Sequence, residues 1–357
     1  MATILSTPTT MTVIAPGTPA LGPLAASMAP GTWAQLTVSN QNAVLADTGA
    51  SGTPLHYCNS MPWNPVSKCI EIVAGDHHGA TPSMRHLRYL DATNGFSEPQ
   101  ASPVVPGIGH GYDHNTVNPT TGDLYHRLYN SQSVARKALG ASSFSNIPDW
   151  NAGGWIQVAI GSCWWSGSFA GGGAQGSLII FNSGNAVNAP TDGQITAYNP
   201  LTNAWFFNQS SMAPNYGSGS TYHSVIEYSS VKNVAVYGGG NAAPNKLWRL
   251  NSDRTFTVMP DVPTGKAVGM QRGIICADPI TGNFLLLSAG ELWELNPSGS
   301  GTWTRQTGTR VPPAGVGIPG PTNPQPVICS SIDDYGVVAY ITQPSQTGGT
   351  FFLYKHA

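Results

Sequence analysis

Charge is the scarcest ingredient of this chain. Of 357 residues, 15 are Lys or Arg and 17 are Asp or Glu, so 9% are charged, against about 25% in an ordinary soluble domain. The net charge of −2 comes with no basic stripe, which excludes nucleic-acid binding by counterion release. Cysteine is also sparse: Cys58, Cys69, Cys163, Cys276 and Cys329 form no CxxC pair, so a zinc ribbon and a thioredoxin-type motif are excluded. They read as small buried residues; Cys58 and Cys69 could face each other across one hairpin, and the sequence leaves their oxidation state open. No run of ~18 apolar residues is present, so no membrane span is expected. HExxH and Cys/His ligand spacings are missing as well, and neither a metal nor another cofactor is expected. Residues 1–30 hold no charged residue. They lack the basic start and compact apolar run of a secretory signal and are expected to form an extended arm outside the main fold.

Turn formers are abundant instead. Gly (42) and Pro (29) accompany 40% hydrophobic residues and ten Trp, a composition for a folded, turn-rich core rather than a disordered chain. One turn signature recurs: Asn64-Pro65-Val66-Ser67-Lys68, Asn118-Pro119-Thr120-Thr121-Gly122 and Asp278-Pro279-Ile280-Thr281-Gly282, with degenerate copies at 228–232 and 333–336 and a glycine-rich stretch at 171–176. The spacing is about 54 residues. Short β-type runs flank each turn and a third follows, as in Leu87 to Leu90, Gln194 to Tyr198 and Glu291 to Leu295. A fourth carries an aromatic at Trp155, Trp205, Phe256 or Trp303. Four antiparallel strands per repeat predict an all-β fold, a six-bladed β-propeller over residues 31–357 with no helix. The last unit lacks a fourth strand, and residues 31–36 are expected to supply it, closing the ring and leaving few free edges.

Tyr222-His223-Ser224-Val225, followed by Val234 to Asn241 and Leu247-Trp248-Arg249-Leu250-Asn251, resembles a kelch repeat of the galactose-oxidase type of propeller. Ile195 to Trp205 and Leu292 to Trp303 carry the resemblance into blades three and five. It implies a fold more than an activity. It also aligns Tyr222-His223 with the adjacent Tyr-His copper ligands of galactose oxidase. That family further needs a Cys-linked Tyr and a His from a later domain, for which no counterpart is expected up to Ala357.

In a propeller the starts of the inner strands and the loops between second and third strands share one face, and loops on a rigid scaffold carry function. Aligned on the turns, that face collects His56, Tyr57, His110, Tyr112, His114, Trp164, Trp165, Tyr222, His223 and Arg272, with Asp76, His77 and His78 from a second-to-third loop and His86 nearby. Two readings follow. In the first, the protein is a non-catalytic recognition or structural propeller of an extracellular or virion assembly. Asp76, His77, His78, His110, Trp164, Trp165 and Tyr222 would then bind a glycan or a neighbouring protein, and residues 1–30 would dock on a further subunit or a second copy. In the second, it is a polysaccharide lyase or other carbohydrate-active enzyme, with Tyr112, His114 and His223 as acid-base candidates and Arg272 neutralising a uronate. Against both stands a bland reading, in which inner-strand His and Tyr only fill the channel.

Overall fold

Each repeated turn is held by its own side chain. Asn64 Oδ1 accepts the Val66 and Ser67 N–H groups at 3.1 and 3.3 Å, Asn118 Oδ1 accepts Thr120 N–H at 2.9 Å, and Asp278 Oδ2 accepts Thr281 N–H at 2.7 Å. These are Asx turns. The last turn residue is left-handed, with φ of 76° at Gly122 and 71° at Gly282, which explains glycine there. Lys68 and Asn233 hold the same place in blades one and four at 51° and 52°.

The computed structural model describes residues 11–12, 19–46, 53–59, 61–75, 84–100, 110–150, 159–182, 193–214, 216, 222–241, 243–270, 272–316, 327–345 and 347–357. Among them, six sheets of antiparallel strands form the six blades of an all-β propeller, and a two-residue strand, Met11–Thr12, adds to the edge of blade six parallel to Thr32–Leu36. From the inside outwards, blade one is Trp63–Asn64, Cys69–Ala74, Arg85–Leu90 and Gly95–Gln100, and blade two is Asn115–Val117, Leu124–Arg127, Val134–Lys137 and Ser145–Asn146. Blade three is Gly161–Trp165, Ser177–Asn182, Gly193–Asn199 and Ala204–Ala213; blade four is Val225–Ser229, Val234–Gly239, Ala243–Asn251 and Phe256–Val258. Blade five is Ile274–Ala277, Phe284–Ser288, Glu291–Asn296 and Thr302–Arg305. Blade six is Val327–Ile332, Val337–Thr342 and Thr350–Lys355, completed by Thr32–Leu36 paired antiparallel to the last of these. The expected N-terminal closure is therefore present, with Trp33 stacked on Tyr354 at 4.6 Å. Blade two ends in a strand at Ser145–Asn146 rather than around Trp155, which lies outside the described residues.

Antiparallel order places the inner-strand starts on one face, here the upper one, and the Asx turns on the lower. Core residues pack blade against blade: Ile70 and Ile72 with Ile328 and Phe351, Phe181 with Tyr237, and Leu285 with Tyr340. Cross-blade hydrogen bonds follow the lower turns, from Asn64 Nδ2 to Gly122 O at 2.9 Å and from Ser229 Oγ to Gly282 O at 2.8 Å. All five cysteines are buried free thiols, so Cys58 and Cys69 are not bridged.

The extended arm expected at residues 1–30 is corrected over its described end. Residues Leu21–Ser27 form a short helix, α1, whose Leu21, Leu24 and Ala25 are buried between blades six and one beside Leu36, Ile332 and Phe351. Asp91 of blade one accepts the Ala20 and Leu21 N–H groups at 2.9 and 2.8 Å, satisfying donors that the first helical turn leaves open. A second short helix, α2 (Gln41–Leu45), buries Leu45, and Gln41 donates to Thr342 O at 2.9 Å. Both escape a reading for amphipathic period because they span under two turns or little more.

A charged knot joins blades one and two. Glu71 is buried, and its Oε2 accepts from His86 Nε2 at 2.7 Å and Arg88 Nε at 2.8 Å, while Lys137 Nζ reaches His86 Nδ1 at 3.3 Å. His86 is thus a core residue, not part of the upper face. Burial alone raises a carboxyl pKa, but the His86 hydrogen bond and the Arg88 charge outweigh it and hold Glu71 down at about 2. A carboxylate depressed in the folded state stabilises above its unfolded value and loses that contribution as the pH falls through the folded one. We expect Glu71→Gln to lower stability by about 3 kcal/mol at pH 7. The gap between the two proteins should close from about pH 4.5 down to about pH 2 in urea titrations; a gap independent of pH would disprove this role.

Candidate functional site

The upper face is built from left-handed aromatic residues. Tyr57, Tyr112 and His223, at the inner-strand starts of blades one, two and four, have φ of 58°, 44° and 72°. Each such bulky residue costs about 1 kcal/mol or more, and strain of this kind concentrates where structure serves function. Backbone bonds enforce it: Tyr112 N–H donates to Tyr57 O at 2.7 Å, and Met270 N–H to His223 O at 3.3 Å.

The rings meet in two layers. In the lower layer His110, Tyr112 and His114 are buried, with His110 stacked on Tyr112 at 4.6 Å and Tyr112 set 4.9 Å from His114. Above them the half-buried His56, Tyr57, Tyr129, Tyr222 and His223 form a rim. Tyr57 stacks on His56 at 4.9 Å, meets His110 edge-on at 4.8 Å and approaches His223 at 5.6 Å. Tyr112 lies 6.1 Å from His223, and Tyr129 stacks 6.2 Å from His110.

The lower layer is locked. His114 Nε2 accepts the Ile160 N–H at 3.2 Å and faces the Arg127 guanidinium at 3.5 Å, so the ring is neutral with its proton on Nδ1. Burial, then the charges of Arg127 and nearby histidines, hold its pKa far below the ordinary value. Burial likewise raises the Tyr112 phenol, lowers His126 to about 3 and lowers Arg127 to about 9.

Of the residues expected here, the structure brings together His110, Tyr112, His114, Tyr222 and His223. It does not bring Trp164 and Trp165. The inner strand of blade three is Gly161–Trp165 and its following loop is long, 166–176, so both tryptophans sit at the lower end. Trp165 packs on Phe169 and Tyr228, and Trp164 on Tyr125, both buried. Arg272 lies in the tight turn between Gly269 and Gly273, and no ring contact or hydrogen bond among the described residues joins its guanidinium to the cluster. Asp76, His77 and His78 lie outside the described residues. The inner-strand alignment puts His56 and Tyr57 on this face as the blade-one counterpart of His110 to Tyr112, without choosing them as binding residues; sequence reasoning missed Tyr129, His126 and Arg127 as members.

Asp113 lies beneath this floor, fully buried. Its Oδ2 accepts the Ile226 N–H of blade four at 2.8 Å, its Oδ1 accepts Asn59 Nδ2 at 3.3 Å, and its backbone carbonyl accepts Ser162 N–H at 2.8 Å. One side chain thus spans the centre of the ring.

Below Asp113 the inner strands enclose a cavity of about 150 Å³ open at the lower face. It is lined by Glu227, Asp278 and Asp333, by Cys163, Cys276 and Cys329, by Trp63, Trp164 and Tyr228, and by smaller polar and apolar residues. Among the described residues no group of three or more His, Cys, Asp or Glu side chains is arranged to hold a metal ion.

No protein-family model matches the chain, and no curated protein matches it. Solved structures do. A chain of a mitotic checkpoint complex superposes with a TM-score of 0.51 at 10% identity, covering 88% of this chain and 94% of that one. Virginiamycin B lyase from Staphylococcus aureus superposes at 0.50 with 11% identity, covering 90% and 99%. A fungal alcohol oxidase in complex with copper reaches 0.47 at 10% identity, covering 87% and 76%. The shared feature is the propeller. The six-bladed propeller read from the repeats holds, and similarity this low carries the fold alone.

Proposed function

We propose that this propeller is a non-catalytic recognition module of an extracellular or virion assembly, and that its upper face binds a neutral glycan. The observation that carries the reading is the two-layered aromatic platform, in which the strained Tyr57 and His223 present half-buried rings over the buried His110, Tyr112 and His114, the last held neutral by burial and the Arg127 charge. Such rings bury large area at low entropic cost, and tyrosine adds a hydroxyl for sugar hydrogen bonds. A chain with 9% charge leaves solubility to neutral polar groups, which suits a surface surrounded by glycans or neighbouring subunits.

The enzymatic alternative draws less support. A lyase base must be reachable and poised near the working pH, whereas Tyr112 and His114 are buried and the His114 lone pair is committed to Ile160. We expect binding of neutral oligosaccharides in calorimetric titration. Tyr57→Ala or Tyr222→Ala should each weaken it about tenfold, about 1.4 kcal/mol, with unchanged melting. A rise in ultraviolet absorbance on incubation with uronate polymers, lost in His223→Ala, would replace this reading with the lyase.

A further inference from the structure

The opposite face carries a second feature that the aromatic platform does not use. Of the seven large hydrophobic residues most exposed among the described residues, five stand on lower turns: Val66, Leu139, Leu201, Val231 and Ile280, each between 45% and 55% exposed. Val66 and Leu139 flank Gly122, Val231 leans on Gly282, and Ile280 leans on Gly336. Val231 and Ile280 directly follow Ser230 and Pro279, which line the central cavity, and Val66 stands on the corresponding turn of blade one; Leu139 and Leu201 lie further out, on turns between third and fourth strands.

Inside the mouth the chemistry changes to acidic. Glu227, Asp278 and Asp333 come from three successive blades, and no Lys, Arg or His is among the described residues lining the cavity. Asp278 is 1% exposed, and only its Oδ2 is used by the turn; Oδ1 has no partner. Ser330, 3% exposed, lines the same cavity with its hydroxyl unpartnered. Buried polar atoms without partners cost about 1–3 kcal/mol each, so two in one cavity mark a place for a ligand that supplies them. The field agrees: burial and then the Glu227 and Asp113 charges push the Cys163 thiol well above its ordinary value.

We infer that the lower mouth binds the guanidinium group of an arginine on a partner polypeptide, whose apolar neighbours rest on Val66, Val231 and Ile280. The carboxylates do not converge on a point where one metal ion would sit. A planar fork with five N–H donors reaches separated acceptors, which a compact ammonium does less well. These apolar turn residues commit the source to a polypeptide, because a free small guanidinium has no use for them.

The probes are acetyl-Leu-Arg-Leu-amide, its citrulline counterpart, and ethylguanidinium, each titrated calorimetrically against the full chain at low salt. The arginine peptide should bind at least tenfold more tightly than ethylguanidinium, and the neutral citrulline peptide at least tenfold more weakly than the arginine one. Glu227→Gln and Ser330→Ala, both sterically mild, should each weaken the arginine peptide severalfold, and Val231→Ser should weaken the peptide but not ethylguanidinium. Equal binding of the citrulline peptide, indifference to Glu227→Gln, or tighter binding of calcium ions than of either guanidinium would overturn the proposal. Equal affinity of ethylguanidinium and peptide would overturn the polypeptide source. None of these outcomes bears on the upper-face reading, since the two sites share no residue.

Discussion

Asp113→Ala is expected to lower the unfolding free energy by about 3 to 5 kcal/mol, among the largest effects of any single substitution in this chain. The substitution removes the acceptor for the Ile226 N–H and for Asn59 Nδ2 and leaves both donors without their protein partner among the inner strands. The cost is that of an orphaned buried donor plus two lost bonds to a carboxyl group. Asp113→Asn keeps one oxygen and should lose about half as much. Urea titration measures this. A difference under about 1 kcal/mol for Asp113→Ala would mean that the inner strands are held by their core packing alone.

Truncation at the N-terminus should have a still larger effect, in steps. Removing residues 1–30 deletes α1 and the residue after it, and with them the buried Leu21, Leu24 and Met28. About 1.5–3 kcal/mol of burial is lost for each, offset in part by the chain entropy regained. The expected product is folded but several kcal/mol weaker, with Asp91 stripped of two N–H donors. Removing residues 1–37 also takes Thr32–Leu36, the fourth strand of blade six. That exposes Phe351 and Leu353 and opens the ring, a loss comparable with the whole stability of a domain, about 5–15 kcal/mol. Circular dichroism and thermal melting should show no cooperative unfolding for the longer deletion. Cooperative melting of that protein would place the closure of the ring elsewhere.

The regular parts of this molecule were legible in its residues because they repeat. The Asn/Asp-Pro turns announce themselves through a local mechanism, a side chain capping its own turn, and their spacing counts the blades. The clustering of histidine and tyrosine at inner-strand starts could be read the same way. Trp164 and Trp165 were misplaced because blade three replaces the short turn with the loop 166–176, so alignment on its glycines slid the strand toward the wrong face. α1 was read as an arm because Leu21-Gly22-Pro23-Leu24 has no strong helical period; it is helical because Asp91, seventy residues away, satisfies its first N–H groups.

The chain's poverty in charge, its turn chemistry and its 54-residue rhythm determined an all-β propeller closed by its first strand, since each of these depends on neighbours in sequence. The left-handed backbone at Tyr57, Tyr112 and His223, the span of Asp113 across the centre, and the joining of Glu227, Asp278 and Ser330 in one cavity were decided only by the closed ring. Those residues come from different blades, and no local rule relates groups a hundred residues apart until the ring brings them within hydrogen-bond reach.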